Sequence, residues 1–560
     1  MAPRGLRAHR NRNGGVHLDH SGHWICRQLS AVFSRRLRHP GRSAVVAHRR
    51  IRRRYDDRHL CHLHPPGRPL VAEIVPRRVS TVSEQENVVS TVEAKAGALE
   101  GAAVDGLSRK LCEAAVALRY DDLPGDVIHT AKLLVLDTLG VIGAANSAPG
   151  IQALHARLES WEKAGSATAL LGKRRMSPPS AALANGAAAH ALDFDDIHDE
   201  ARVHTSAVLL PTLLAIAEDI GSIGGRDFIL AMAVGAEINA RLGLACFNCL
   251  DHGWHPTMLF GVMSSAVAAA RLLKCDAATT LGALGFAHHL ASGSAQSILD
   301  GALTKRLGPG FAARSAVMAS YLARDGLSGP HRAIEGRAGL FLLQERGEVI
   351  PARLLDGFGQ DWEVLKYGFK AFPCCRCCHS TIDLGLQVNR RGIKPEQVRG
   401  IRIWQPAVNF RTVGAPYEAE RDSVVHAQFN AAYCFARALH DGAVDLRSFQ
   451  RPQISDPAIA AISGRTRVML DESMDPIAMG PARVELDLSS GETLAVESST
   501  LLGGPDSPLS DQMLIEKFRS CLSIGLDAKR DAIDALADRV LHLDQAENVA
   551  DLVSAFPAKA

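Results

Sequence analysis

The chain has 560 residues, of which 47% are hydrophobic and only 5% aromatic, and its formal net charge is +3. This length and hydrophobic content exclude a fully disordered chain and leave room for roughly two to four domains. The small net charge says little about partners, because it hides a strong asymmetry along the chain.

The amino-terminal segment is strongly basic. Residues 1–80 contain 18 arginines, no lysine, four acidic residues and nine of the 23 histidines, which leaves residues 81–560 with a net charge of −11. A nucleic-acid-binding tail and a transit peptide are both compatible with such a segment. Arginine without lysine is also typical of GC-rich DNA translated upstream of a true start. We therefore expect residues 1–94 to be a basic segment that is disordered or not native.

Helical spacing of apolar residues dominates residues 95–365, and glycine, proline and aspartate fill the connections between the apolar stretches. The longest uncharged stretch, Ala277–Leu299, contains histidines and serines and is predicted as a buried helix pair rather than a membrane span. The predicted helices of this part are Leu107–Leu118, Val127–Ile142, Gln152–Glu162, Ser180–Leu192, Ala207–Glu218, Phe228–Leu244, Met258–Leu273, Ala277–Leu290 and Phe311–Arg324.

The pattern changes near residue 366. Val398–Trp404 and Val484–Leu488 alternate apolar and polar residues, which predicts half-buried strands, and Thr493–Glu497 resembles a returning strand. Helical patterns lie between them at Phe429–Leu439 and Pro457–Ile462. Residues 366–504 are therefore predicted to form a smaller α+β lid domain.

Helical patterns return after residue 505, at Ser510–Leu522, Ala528–Ala537 and Ala546–Ala555. We expect residues 505–560 to pack back on the helices of residues 95–365. The predicted fold class is mainly α, with a large, discontinuous all-helical domain and the smaller α+β lid.

Two histidines each stand just ahead of an apolar helix. His204 precedes Thr205 and Ser206, and His255 precedes Pro256 and Thr257. Serine and threonine are good N-cap residues, so each histidine is predicted near a helix N-terminus. Such ends attract anions and favour the neutral imidazole, which can accept a proton. The pattern indicates a pocket for a polycarboxylate with proton-transfer groups beside it.

Several stretches occur in the order found in one known family: HALDFDDIHDEARVHTSAVLLP (190–211), GWHPTMLFGVMSSAVAAARLL (253–273), TKRLGPGFAARSAVMASYLARDGLSGP (304–330), KAFPCCRCCHSTID (370–383) and HAQFNAAYCFARALHDG (426–442). Over residues 95–555 the chain resembles the MmgE/PrpD family, which includes 2-methylcitrate dehydratase, cis-aconitate decarboxylase and iminodisuccinate epimerase. The resemblance implies a helical domain, a smaller lid, a cleft between them, a homodimer, and cofactor-free chemistry on small di- or tricarboxylates.

Carried over to the matching positions, the resemblance implies a pocket of seven residues. Lysines and helix N-termini can stabilise the negative charge that builds up when a proton next to a carboxylate is removed. A neutral histidine can move that proton, and an aspartate can orient the histidine. The implied catalytic residues are His204, His255, Lys305 and Asp193, and the implied substrate-binding residues are Lys370, Cys375 and Tyr417.

Other interpretations of these residues stay open. Lys305 and Arg306 could be surface charges between helices. Asp195, Asp196 and Asp199 could form a solvated acidic loop or supply oxygen ligands to a metal. The C-x-x-C pairs Cys374–Cys377, Cys375–Cys378 and Cys246–Cys249 could bind zinc or an iron–sulfur cluster. Overlapping pairs cannot all be ligands with ordinary geometry, so no metal is expected.

Three positions depart from the family pattern. Ile197 stands where many members carry threonine, Thr205 replaces a frequent proline, and Cys375 stands where decarboxylase-like members carry a second pocket histidine. The chain is accordingly predicted to be a lyase resembling 2-methylcitrate dehydratase. An epimerase, a decarboxylase of the cis-aconitate type and a non-catalytic carboxylate-binding protein are the alternatives. We expect a cytoplasmic protein, because no secretory signal is visible, and the resemblance implies a homodimer. We expect it to bind neither nucleic acid nor membrane.

Overall fold

The computed structural model describes residues 104–559, and the basic segment predicted for residues 1–94 lies outside them. The helices of this part are α1 Leu107–Ala117, α2 Gly125–Ala144, α3 Ile151–Trp161, α4 Pro178–His190, α5 Ser206–Ile220, α6 Gly225–Ala245, α7 Pro256–Leu272, α8 Ala277–Leu290, α9 Gln296–Leu299, α10 Thr304–Arg324, α11 Leu340–Leu343, α12 Ala352–Leu355, α13 His379–Arg390, α14 Ala407–Val413, α15 Val424–Gln428, α16 Ala431–Asp441, α17 Arg451–Ile454, α18 Pro457–Gly464, α19 Asp511–Leu526, α20 Arg530–Leu541 and α21 Ala550–Ala555. The strands are β1 Ala167–Ala169, β2 Arg174–Met176, β3 Ile197–His198, β4 Tyr367–Gly368, β5 Val398–Gln405, β6 Thr466–Leu470, β7 Ala482–Leu488 and β8 Thr493–Ser498.

The larger hydrophobic core lies among closely packed helices, in which α5 and α10 each contact both α4 and α7. Small residues permit this packing. A Cβ atom at Gly186 would lie 2.8 Å from the Cα of Gly310, and one at Gly310 would lie 2.4 Å from the carbonyl oxygen of Leu183. The backbones of α4 and α10 therefore touch, which a larger side chain at either glycine would prevent.

Helix α10 begins earlier than predicted. The sequence analysis places its start at Phe311, but the helix starts at Thr304 and includes Pro309. Pro309 falls in the second turn of the helix. The one backbone hydrogen bond that its missing N–H removes would have lain close to the start of the helix, so the later turns keep theirs. The longer helix carries Lys305 and Arg306 in its first turn, and both side chains are buried rather than on the surface.

The carboxy-terminal helices share the larger core. Phe518, Leu522 and Phe556 belong to the same hydrophobic cluster as the buried residues of α2. Helix α19 lies directly on α2, and its Lys517 ammonium lies 2.7 Å from the carboxylate of Asp137. The same ammonium donates a 2.8 Å hydrogen bond to the carbonyl of Phe194, so the last helices also support the chain just after α4.

A second hydrophobic core lies beside a four-stranded sheet of order β6-β5-β7-β8. Strand β5 pairs parallel with β6 and antiparallel with β7, and β7 pairs antiparallel with β8. Helix α13 packs on β7 and β8, and α16 packs on α13. The sequence missed β6, because a parallel partner follows a long crossover and leaves no hairpin pattern.

The mainly α architecture is confirmed, and the strands expected at Val398–Trp404, Val484–Leu488 and Thr493–Glu497 are all present. The domain boundaries at 365 and 504, and the action of the α+β part as a lid, stay predictions. Two helices, Gly125–Ser147 and Gly225–Ala245, are long and apolar enough to cross a membrane. Their apolar windows are 78% and 100% buried within the fold, which is typical of core helices.

The contact between α2 and α19 gives a stability prediction. A Cβ atom at Gly525 would lie 2.2 Å from the carbonyl oxygen of Gly143, which is backbone and cannot rotate away. We expect Gly525→Ala to lower the free energy of unfolding in urea by about 1–3 kcal/mol, because the two helices must separate. Gly125→Ala in α2 is the control, since nothing lies within 4 Å of its added Cβ. Equal effects of the two substitutions would contradict the close approach.

A buried cluster of lysines, carboxylates and histidines

One carboxylate connects distant parts of the chain. Strands β3 and β4 pair through Ile197 with Gly368 and His198 with Tyr367, and this brings Lys370 to the loop after α4. The Lys370 ammonium lies 2.9 Å from the carbonyl oxygen of Asp193 and 3.2 Å from its carboxylate. The ammonium of Lys305, at the start of α10, forms an ion pair with the other oxygen of that carboxylate. All three side chains are buried.

Asp193 is held ionised by this arrangement. Burial alone would raise the pKa of its carboxyl group, but Lys305 and Lys370 outweigh burial and hold that pKa well below the usual range. Burial would likewise lower the pKa of Lys370, yet Asp193 and Asp195 raise it. Asp193 has a φ of 54°, in the left-handed region that aspartate tolerates better than most residues. The structure therefore brings together Asp193, Lys305 and Lys370, three residues that the sequence analysis assigns to one pocket.

His204 presents one ring nitrogen as a proton acceptor. Its Nδ1 lies 2.9 Å from the carbonyl oxygen of Asp196, and a carbonyl oxygen can only accept, so Nδ1 carries the hydrogen. Nε2 consequently keeps its lone pair. Burial, with Lys370 and His190 nearby, lowers the pKa of His204 to about 3 although Asp195 opposes that shift. The ring is neutral at physiological pH and can act as a base.

A second carboxylate lies between two histidines. His190, the last residue of α4, has its Nδ1 at 2.7 Å from Oδ2 of Asp195, and His204 has its Nδ1 at 3.5 Å from the same oxygen. The rings of His190 and His204 are 5.0 Å apart. Burial opposes ionisation of Asp195, but the two histidines and the hydrogen bond from His190 lower its pKa. Asp195 therefore orients imidazole rings, and the sequence analysis did not anticipate His190 in this role.

His255 is the N-cap residue of α7 and joins the same cluster. Its ring centre lies 6.2 Å from that of His190, and its side chain is buried. Burial, together with the positive field of Lys305, lowers its pKa well below the usual value. Within residues 104–559 its Nδ1 has no hydrogen-bond partner. The structure thus brings both sequence-predicted histidines to helix N-termini and close to one another.

Helix α5 is capped differently from the prediction. The side chains of Thr205 and Ser206 do not cap it; instead the Asp196 carboxylate accepts hydrogen bonds from the backbone N–H of Ser206 at 3.2 and 3.3 Å. Burial, together with the charges of Asp195 and Asp137, raises the pKa of Asp196 to about 8. Asp195 and Asp196 are completely buried, so they are not a solvated acidic loop.

The ligand atoms of His190, Asp195 and His204 lie within 4.8 Å of one another, close enough in principle for one ion. Nδ1 of His204 donates to a backbone carbonyl and Nδ1 of His190 is hydrogen-bonded to Asp195, so the Nε2 atom of each ring is the nitrogen left with a lone pair. A nitrogen with a free lone pair can accept a proton or bind a metal ion.

Cys375 lies at the edge of the cluster. Its thiol hydrogen-bonds with that of Cys377, and this bond, with burial and the charge of Asp193, raises its pKa well above the usual value although Lys370 opposes the shift. Cys375 therefore stays protonated. Cys374 and Cys378 point into the second hydrophobic core beside Cys434, away from Cys246 and Cys249, which lie in the larger core.

Tyr417 has other partners. Its hydroxyl donates a 2.5 Å hydrogen bond to the carbonyl of Ile454, and its ring stacks on His426 at 5.2 Å. In the part of the chain that the structure describes, none of its contacts reaches the lysine and histidine cluster, so its role as a substrate ligand stays a prediction. Ile197, at a departure from the family pattern, is buried in β3 and contributes no hydroxyl.

Thr205 serves a structural purpose. Its hydroxyl forms a 2.5 Å hydrogen bond with the hydroxyl of Tyr367 and accepts another at 2.8 Å from the amide of Asn239. These bonds fix the residue next to His204 against α6 and β4. A proline at this position would supply neither contact.

Two further residues that the sequence analysis did not assign to the site complete its wall. Arg306 donates from Nη2 to Oε1 of Gln428 at 2.6 Å. The Gln428 amide in turn donates to the carbonyls of Leu192 and Pro373, each at 2.8 Å. Gln428 gives no signal in the sequence, because one glutamine in a short helix resembles any other polar residue.

A mainly helical protein with buried lysines, carboxylates and neutral histidines around one point fits the class indicated by sequence comparison. The MmgE/PrpD N-terminal domain model matches residues 109–349, and the MmgE/PrpD C-terminal domain model matches residues 372–543. The chain belongs to the MmgE/PrpD family, as the sequence motifs predicted.

The individual relatives share less than 30% sequence identity with this chain. The cis-aconitate decarboxylase-like protein oryM of Aspergillus oryzae is 28% identical over 469 residues, which cover 80% of this chain and 96% of that protein. Cis-aconitate decarboxylase of Aspergillus terreus is 27% identical over 478 residues, with the same coverage. Cis-aconitate decarboxylase of Mus musculus is 28% identical over 458 residues, covering 77% and 89%.

The two ion pairs of Asp193 give a prediction about stability. Asp193→Asn leaves two buried ammonium groups without their carboxylate, and we expect it to lower the free energy of unfolding by about 3–5 kcal/mol in denaturant titrations. Adding Lys305→Met should restore part of that loss, because one unpaired charge is removed with its partner. Additive losses in the double variant would show that the two side chains are not coupled.

Asp196 gives a prediction about pH. Between about pH 4 and pH 8 the native state holds a proton on Asp196 that the unfolded chain releases, so this group makes stability fall as pH rises. Asp196→Asn removes that dependence. Relative to the wild type, we expect the variant to gain up to about 1.4 kcal/mol per pH unit over this range, measured by urea unfolding at several pH values. A pH-independent difference between the two proteins would refute the raised pKa.

Proposed function

We propose that this protein is a lyase that acts, without a cofactor, on a small di- or tricarboxylate by moving a proton next to a carboxylate group. The observation that carries the proposal is the neutral His204, whose Nε2 can accept a proton, placed beside the ammonium groups of Lys305 and Lys370. Membership of the MmgE/PrpD family supports the same reaction class.

The residues of the cluster have complementary roles in this proposal. Taking a proton from the carbon next to a carboxylate spreads negative charge onto that carboxylate. Lys305 and Lys370 supply positive charge there, and the helix dipoles add partial positive charge at the N-termini of α5 and α7. His204 and His255 are both neutral, so each can accept a proton and can return it once protonated. The buried surroundings exclude water and so strengthen each of these interactions.

Decarboxylation of an acid of the cis-aconitate type is the leading candidate reaction. The relatives named as cis-aconitate decarboxylases align over most of their length with this chain, which supports a common reaction. In decarboxylation the carbon–carbon bond to one carboxylate breaks, carbon dioxide leaves, and the electron pair on carbon takes up a proton. The lysines would stabilise the charge on the remaining carboxylate, and a protonated side chain of the cluster would return the proton.

Dehydration of an acid of the 2-methylcitrate type is the second candidate, and Cys375 favours it. The resemblance places a second pocket histidine at this position in decarboxylase-like members, and the Cys375 thiol, with its raised pKa, is a weaker proton donor than a histidinium. Dehydration needs a base for the carbon proton and an acid for the departing hydroxyl group. His204 would take the carbon proton, and the imidazolium formed in that step could pass a proton to the departing hydroxyl group.

The reaction can be identified by proton nuclear magnetic resonance in heavy water with cis-aconitate and 2-methylcitrate as separate substrates. Loss of carbon dioxide, loss of water and deuterium exchange without loss of either distinguish decarboxylase, dehydratase and epimerase. Ligand-induced thermal stabilisation without turnover of either acid would contradict the proposed lyase and indicate a carboxylate-binding protein.

His204→Asn tests the proposed base. The asparagine amide can replace the Nδ1 hydrogen bond to the carbonyl of Asp196 but offers nothing in place of Nε2. We expect kcat to fall about 10²- to 10⁴-fold, with melting temperature and ligand binding nearly unchanged. His129→Asn, which removes an exposed histidine paired with Asp511, is the control. Retention of wild-type kcat by the His204 variant would exclude it as the base.

A further inference from the structure

Four arginine side chains are buried in the part of the chain that the structure describes, and one differs from the rest. Arg241 pairs with Glu237, Arg376 pairs with Asp199 at 2.9 Å, and Arg437 pairs with Asp441 at 3.0 Å. Arg306 is only 4% exposed and has no carboxylate within ion-pair distance among residues 104–559.

The hydrogen bonds of Arg306 are also incomplete. Its Nη2 donates to Oε1 of Gln428 at 2.6 Å, whereas its Nη1 is buried without any hydrogen-bond partner in the described residues. The acidic group whose field reaches Arg306 is Asp193, and that carboxylate is already paired with Lys305 and Lys370. Arg306 is thus a third buried cation near a carboxylate that already pairs with two ammonium groups.

A buried guanidinium without a counter-ion lowers the stability of the fold, because the charged group loses its hydration and gains no anionic partner in exchange. A bound anionic ligand can supply the missing partner. The guanidinium has five N–H donors in a planar fork that matches the two oxygens of a carboxylate. Nη1 of Arg306 is the donor that this fork leaves free, and Gln428 holds the plane of the guanidinium in place.

Arg306 is fixed in relation to the proposed reaction centre. It follows Lys305 directly in the first turn of α10. Its partner Gln428 is bonded to the carbonyl of Leu192, next to Asp193, and to the carbonyl of Pro373, close in sequence to Lys370. The same glutamine carbonyl accepts a 3.0 Å hydrogen bond from the backbone N–H of Cys375. Arg306 therefore belongs to the wall of the cluster and not to a separate surface.

We propose that Arg306 binds a second carboxylate of the substrate, distinct from the carboxylate beside Lys305 and Lys370, and so selects acids with more than one carboxylate. This inference rests on the proposed function for the identity of the reaction, but it concerns binding and can be tested without turnover. Gln428 is the positioning residue for the guanidinium. The ligand class is a short-chain tricarboxylate, or a dicarboxylate whose two groups reach both positions.

Isothermal titration calorimetry with three unreactive acids tests the proposal. Propane-1,2,3-tricarboxylate is the full probe, pentanedioate lacks its central carboxylate, and 2-methylbutanedioate lacks one terminal carboxylate. We expect Arg306→Met to raise the Kd of the triacid about tenfold to a hundredfold. One of the two diacids lacks the carboxylate that Arg306 binds in the triacid. The Kd of that diacid should therefore be the same for Arg306→Met and for the wild type.

Two further variants make the measurement decisive. Arg306→Lys keeps the positive charge but loses the planar fork, so we expect it to weaken the binding of the same acids by a smaller factor than Arg306→Met. This variant also tests the proposal if Arg306→Met does not fold. Arg402→Met removes a partly exposed arginine that pairs with Asp487 and Glu485 on the four-stranded sheet, and it controls for the change in net charge. We expect it to leave all three Kd values unchanged.

Three outcomes would overturn the proposal. Equal loss for all three acids would indicate a structural role for Arg306, and unchanged triacid binding in Arg306→Met would exclude the subsite. Inorganic phosphate that binds the wild type but not Arg306→Met, with triacid affinity unchanged, would assign the position to a free inorganic anion. Failure of the wild type to turn over any acid, with triacid binding still dependent on Arg306, would refute the reaction while leaving the carboxylate subsite intact.

Discussion

The structure of the site depends on one carboxylate that is bound by two ammonium groups. Asp193 ends the turn after α4, Lys305 begins α10, and Lys370 follows β4, so the ion pairs connect three segments that are far apart in sequence. Because all three groups are buried, none can leave the others without a large cost in solvation. The position of every neighbouring side chain, including His204 and Arg306, is set relative to this fixed point.

Near Asp193, side chains of the same chemical type have pKa values that are shifted in opposite directions. Burial and the lysines keep the histidines neutral, whereas Asp195 is ionised between two of them. Burial, together with negative neighbours, raises the pKa of Asp196, one residue further. Groups of one chemical type with opposite shifts in one site are typical of proton-transfer chemistry. The local balance of charge, rather than the residue type, decides which group can give or accept a proton.

Most of the longer helices and three of the four strands of the larger sheet follow from apolar periodicity, because amphipathic elements carry their pattern locally, but helix α13 was not predicted. The start of α10 does not follow from periodicity. A proline such as Pro309 is typical of a helix boundary, whereas in the structure the helix runs through it and Gly310 packs closely on α4. Strand β6 was missed for a similar reason, as its partner β5 lies some sixty residues earlier. Both errors concern elements that are defined by packing between distant segments.

The sequence by itself determined the family, the mainly α architecture and the residues that meet at Asp193, because motifs and periodicity are local properties of the chain. Only the tertiary structure decided which nitrogen of His204 is free, that Asp196 caps α5, and that Arg306 is buried without a carboxylate partner in the described residues. A tautomer, a cap and an unpaired charge each depend on which distant groups lie within hydrogen-bond distance. That information arises when α4, α10 and the chain after β4 pack together.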